Sequence, residues 1–183
     1  MTDASPIVHK AYNKTALLIL IGAWILGPLI SWSSHIRYPM VVTLILNNSV
    51  TLSSNVLFIL LMNYQLGRLI GIDTFLSIRM GRNNFRATVL MILLLDWAVY
   101  TVGLYSIESI AYGWAHIEVQ YVWLFFIVNA LMYLLLVIIM SLSLIGVSHI
   151  ITVASAILVE IAFHYVLIVP ILPRFVQEFD VTK

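Results

Sequence analysis

The sequence contains no cysteine and very little charge, with 8 acidic and 9 basic side chains among 183 residues. The first absence excludes disulfides, thiolate metal sites and thiol nucleophiles. The second excludes a water-facing surface over most of the chain, because a soluble domain carries roughly 25% charged residues and this one carries 9%. A net charge of +1 leaves no basic stripe for nucleic acid and no acidic face for a cationic partner. Also missing are a phosphate-binding glycine loop followed by Lys, a His pair at i, i+4 and a Gly-x-Ser-x-Gly elbow. The expectation is a chain without metal or cofactor that is no enzyme on its own. No repeat of solenoid length and no Pro/Ser-rich linker divides it.

What the sequence has is apolar length. Hydrophobic residues make up 62% of the chain, and the mean hydropathy is +1.06. A spanning helix needs about 20 apolar residues at about 1.5 Å each. Stretches 15–33, 40–64 and 87–105 qualify. The apolar tract that follows is too long for one helix and must reverse near Gly146, which divides it into 120–145 and 149–172. The predicted fold is an all-α integral membrane protein. It is one transmembrane domain, a bundle of about five helices, or six if a further pass exists.

Basic residues orient it. With the N-terminus cytoplasmic, Lys10, Lys14, Arg68, Arg79, Arg82 and Arg86 lie inside, against Arg37, Arg174 and Lys183 outside. The connector 106–119, carrying Glu108 and Glu118 but no Lys or Arg, falls outside as well. The expected location is the plasma membrane, crossed several times.

Segment 66–86 is too polar to span. Leu69, Ile72, Leu76 and Met80 make one helical stripe, while Arg79, Arg82 and Arg86 repeat on another face. One reading is a short amphipathic helix at the cytoplasmic surface; the other is a basic loop that only fixes orientation. The run from Phe75 to Phe85, FLSIRMGRNNF, leads directly into a span. It resembles the permease subunits of bacterial ABC exporters of the second class, of the bacteriocin and antibiotic export type. In that family this stretch is the coupling helix, which docks on a separate ATP-binding subunit. The resemblance covers about half the chain and implies partner-docking roles for Arg79, Gly81, Arg82 and Phe85.

Polar groups at bilayer depth are costly unless paired or hydrated. Asp96 in the third span and Glu160 and His164 in the fifth are the ionisable ones, and the two carboxylates are expected at similar depth, which leaves a common cavity open to them. Ser148, Thr152, Ala156, Glu160 and His164 recur every fourth residue. That stripe serves either as helix-packing glue or as the lining of a path. Asn47, Asn48 and Asn55, with the serines and threonines between them, crowd the second span. They call for burial against protein, including a second membrane subunit or second copy. Asn129 in the fourth span reads as an interhelical bond.

Three functions are compatible with this pattern. The first is the transmembrane subunit of an ABC-type exporter, forming the path for a peptide or lipid-like substrate and docking an ATP-binding subunit. The second is a non-catalytic membrane subunit for assembly or anchoring of a larger complex. The third, a proton carrier or intramembrane enzyme built on Asp96, Glu160 and His164, has the least support, since nothing marks a reacting centre.

Overall fold

The computed structural model describes residues 5–33, 48–71, 73–113, 119–168 and 170. Its helices, in chain order, are α1 (Ser5–Ala11), α2 (Lys14–Ser33), α3 (Asn48–Ile70), α4 (Asp73–Met80), α5 (Arg82–Tyr112), α6 (Val119–Ser141) and α7 (His149–Phe163). A 3-10 turn, Leu142–Ile145, extends α6, and a π-helical turn, His164–Ile168, extends α7. Five of the described helices are long and apolar enough to cross a membrane.

α2 packs with mostly small residues inward. On α2 the buried face is Ala16, Leu20, Ala23, Gly27 and Ser31, while Leu17, Leu18, Ile21, Ile25 and Leu29 point out. On α6 the exposed row is Leu124, Ile127, Leu131, Leu135 and Ile138, at helical spacing. Small inward side chains let helix axes approach closely. α2 lies along α3 for most of its length. At the start of that contact Asn13 Nδ2 donates to the Tyr64 hydroxyl at 2.8 Å, and Arg68 Nη1 donates to the same oxygen at 2.9 Å. The first residues of α2 and the last turns of α3 therefore share one end of the bundle, the end that also receives α1, α4 and the start of α5.

Two tryptophans fasten α5 to its neighbours. Trp24 Nε1 donates to the Tyr100 carbonyl at 3.2 Å, and Trp97 Nε1 donates to the Ala130 carbonyl at 2.9 Å. Between these ties the core holds Phe58 stacked on Tyr100, centroids 4.2 Å apart, with Tyr133 edge-on to Tyr100 at 5.3 Å.

Several boundaries differ from the sequence expectation, each for a packing reason. The second helix does not stop at Tyr64 but runs to Ile70, because Gln65, Leu66 and Leu69 face the core. Residues 40–47, and so Asn47, lie outside the described residues. The amphipathic segment anticipated over 66–86 is not one helix: Leu69 belongs to α3, Leu76, Arg79 and Met80 to α4, and Arg82 and Arg86 to α5, while Ile72 lies outside the described residues. Gly81, at φ 83°, separates α4 from α5, a conformation that L side chains adopt at a steric cost. The third long helix spans Arg82 to Tyr112 rather than 87–105, so Glu108 belongs to a helix and not to a connector. Arg37, Arg174 and Lys183 lie outside the described residues.

Candidate functional site

Three carboxylates are buried in the bundle, Asp96, Glu108 and Glu160, and no Lys or Arg joins them among the buried described residues. Asp96, Tyr100, Leu104, Glu108 and Tyr112 follow one another every fourth residue along α5. The first four are buried. From Asp96 to Glu108 the helix rises about 18 Å.

The polar groups fall into three clusters. Nearest the α1 end, the Asp96 carboxyl lies beside the Tyr12 hydroxyl and the Gln65 side chain. Asp96 Oδ2, the Tyr12 hydroxyl and both Gln65 amide atoms are buried without a hydrogen bond of ordinary geometry. Burial first, and the Asp96 charge second, push the Tyr12 hydroxyl above its usual pKa, so it remains a donor. Ile7 and Ala11 of α1 are fully buried and help close this end. In the middle, Asn55 of α3 bridges two helices. Its Nδ2 donates to Glu160 Oε1 of α7, and its Oδ1 accepts from the Tyr100 hydroxyl at 2.8 Å. Glu160 Oε2 has no partner. Farther along lies Glu108, 0% exposed, with both carboxylate oxygens unpartnered. A Cβ on Gly27 would stand 2.6 Å from Glu108 Oε1 and 2.9 Å from Val50 Cγ1. The glycine in α2 is thus what admits the carboxylate against that helix.

The fold distributes the anticipated site residues over several places. Asp96 and Glu160 are both buried but belong to separate clusters rather than to one shared cavity. His164 is buried at the first position of the π-helical turn, a type of irregularity that often accompanies function. Asn55 finds partners within its own chain. Asn48 opens α3, with its side chain outside the described set. Asn129 donates to the Phe125 carbonyl of its own helix at 2.8 Å, not across to a neighbour. In the segment anticipated to dock a partner, Arg79, Gly81 and Arg82 are exposed. Phe85 is 1% exposed, because the first turn of α5 anchors it in the core, so it is unavailable to a partner.

The sequence reading missed Glu108, Tyr100, Tyr12 and Gln65. For Glu108 and Tyr100 a signal was present, since the four-residue repeat from Asp96 to Tyr112 continues the helix straight through the supposed connector. For Tyr12 and Gln65 nothing local announces that a short N-terminal helix folds over the end of the bundle. No family model, curated protein or solved structure matches this chain.

Proposed function

We propose that the chain is a multi-pass plasma-membrane protein with a cytoplasmic N-terminus. In this reading it is the transmembrane subunit of an ABC-type exporter of a peptide or lipid-like substrate, working with a separate ATP-binding subunit. Placement in a bilayer is supported by the outward faces of α2 and α6, rows of large aliphatics that suit lipid as solvent, and by the mostly small groups that α2 turns inward. Orientation rests on the basic residues of α1, α2, α3, α4 and α5, which gather at one end.

The observation that carries the exporter reading is α4. This short helix lies between two spanning helices, bracketed by Gly71 and Gly81, and displays Ile78 at 83% exposure beside exposed Arg79 and Arg82. An apolar knob flanked by guanidinium groups suits a protein surface with an acidic rim, and it sits on the cytoplasmic end. The bundle interior is filled by Phe58, Tyr100 and Tyr133. The substrate path is therefore assigned to the interface with a second membrane subunit or second copy.

The test is charge reversal at the docking helix. Arg79→Glu with Arg82→Glu should remove the ATP-binding subunit from mild-detergent purifications and lower substrate-stimulated ATPase activity by about tenfold or more, with membrane insertion unchanged. Undiminished co-purification and coupling would refute the exporter reading. Recovery of membrane chains alone would favour the assembly-component role. The absence of cysteine allows a clean topology check. Cysteines placed at Lys10 and Ile78 should resist a membrane-impermeant thiol reagent in intact cells, and one at Ala111 should react.

A further inference from the structure

Glu108 does not take part in docking, and packing alone gives no reason for a carboxylate there. Around it the helices leave a cavity of about 10 Å³, lined among others by Thr51, Ser54, Asn55, Glu108, Asn129 and Tyr133. That is about the space one water-sized particle requires. The Ser54 side chain is 1% exposed, and its Oγ, like both oxygens of Glu108, has no hydrogen-bond partner. Asn129 also lines the cavity, and its amide nitrogen donates to the Phe125 carbonyl. The polar part of the described lining is oxygen-bearing and includes one carboxyl group, with no ammonium or guanidinium beside it, while Val50, Leu104 and Phe125 complete the wall.

We infer that this cavity binds one dehydrated alkali-metal cation, held by the Glu108 carboxylate with the Ser54 hydroxyl and the Asn129 carbonyl. Hard cations take oxygen ligands. A single carboxylate neutralises a single positive charge, whereas a divalent ion would leave a net charge in an apolar interior at a large cost. Gly27 belongs to the same design, because any side chain there would push the carboxylate out of place. The site would tie α2, α3, α5 and α6 together and make their packing depend on the cation.

The experiment uses the full chain purified in detergent micelles, with thermal unfolding followed by tryptophan fluorescence. Sodium chloride and potassium chloride are each compared with choline chloride at equal ionic strength. The Tm is expected to rise by about 5 °C, saturably, in sodium or potassium relative to choline, and the two arms identify which ion fits. Glu108→Gln should abolish the dependence, and Ser54→Ala should raise the half-saturating concentration roughly tenfold. Direct binding of radioactive sodium or rubidium to the wild-type chain gives a readout independent of any variant, with one saturable site per chain expected. Identical Tm values in all three salts, retention of the shift in Glu108→Gln, or absence of saturable binding would each overturn the assignment. An insensitive wild type matched by an equally stable Glu108→Gln would mean that the carboxyl simply holds a proton.

Discussion

Gly103→Val is expected to lower stability by about 3 kcal/mol, the upper range for overpacking a close-packed interface together with one lost hydrogen bond. In a chain of this size that corresponds to a fall in Tm of about 10 °C. Gly103 lies where the indole of Trp24 crosses α5, and a Cβ on residue 103 would overlap the Trp24 ring. The ring cannot swing aside cheaply, because its Nε1 donates to the Tyr100 carbonyl at 3.2 Å. Valine adds two further methyl groups in the same space. The mechanism is therefore loss of the α2–α5 contact rather than loss of helix propensity, since Gly→Ala in a helix interior alone would be favourable by roughly 1 kcal/mol. A second substitution separates the two effects: Trp24→Leu empties the contested volume, so Gly103→Val in that background should regain most of the lost stability. Denaturation in micelles measures both. Wild-type stability in Gly103→Val, or absence of rescue, would show that the indole does not sit over residue 103.

Length and hydropathy alone made the all-helical character and the five long apolar segments legible. Three boundaries carry local signals, Gly81 before α5, Gly113 after it and Gly146 after the 3-10 turn, all of which adopt positive φ. What hydropathy could not reveal was the end of a helix whose last turns are polar but buried. Gln65 is apolar by environment and polar by chemistry, fully buried in α3, so an averaged profile ends the span at residue 64, short of the helix end at Ile70. Glu108 misled in the same way, its charge read as a mark of the aqueous surface. Both errors come from equating polarity with exposure, which holds in water and fails inside a bundle whose outside is the more apolar side.

The site was legible in its members more than in their pairing. Asp96, Glu160, His164 and Asn55 all proved to be buried, as the cost of polar groups at depth suggests. Which of them meet depends on helix rotation and on neighbours far away in sequence. Asn55 and Glu160 are 105 residues apart, and no spacing rule within one helix can join them. The same limit applies at the docking segment. The periodic arginines mark an unusual stretch, but only the fold separates exposed Arg79 from buried Phe85.

Asn55→Leu is expected to destabilise the bundle by about 2–4 kcal/mol, and comparison with changes at Glu160 decides what the central cluster is for. An interhelical hydrogen bond in a bilayer contributes only about 0.6 kcal/mol on average, so a simple count of bonds would forecast a small effect. The amide here serves two buried partners at once, the Tyr100 hydroxyl and the Glu160 carboxyl. Its removal leaves both without partners, at roughly 1–3 kcal/mol each, and Glu160 Oε2 has none to begin with. Pairing Asn55→Leu with Glu160→Leu should therefore be less damaging than the sum of the two, because the orphaned carboxyl is gone. Glu160→Gln retains an oxygen to accept from Asn55 and should remain within about 1 kcal/mol of the parent. On the exporter proposal that variant then separates two roles for Glu160: a carboxyl that only packs helices tolerates the amide with transport intact, whereas one that changes charge during the cycle loses transport while the fold persists. Full transport by Glu160→Gln would assign the cluster to packing, and make Asn55 the residue through which α3 and α7 are held at a fixed rotation.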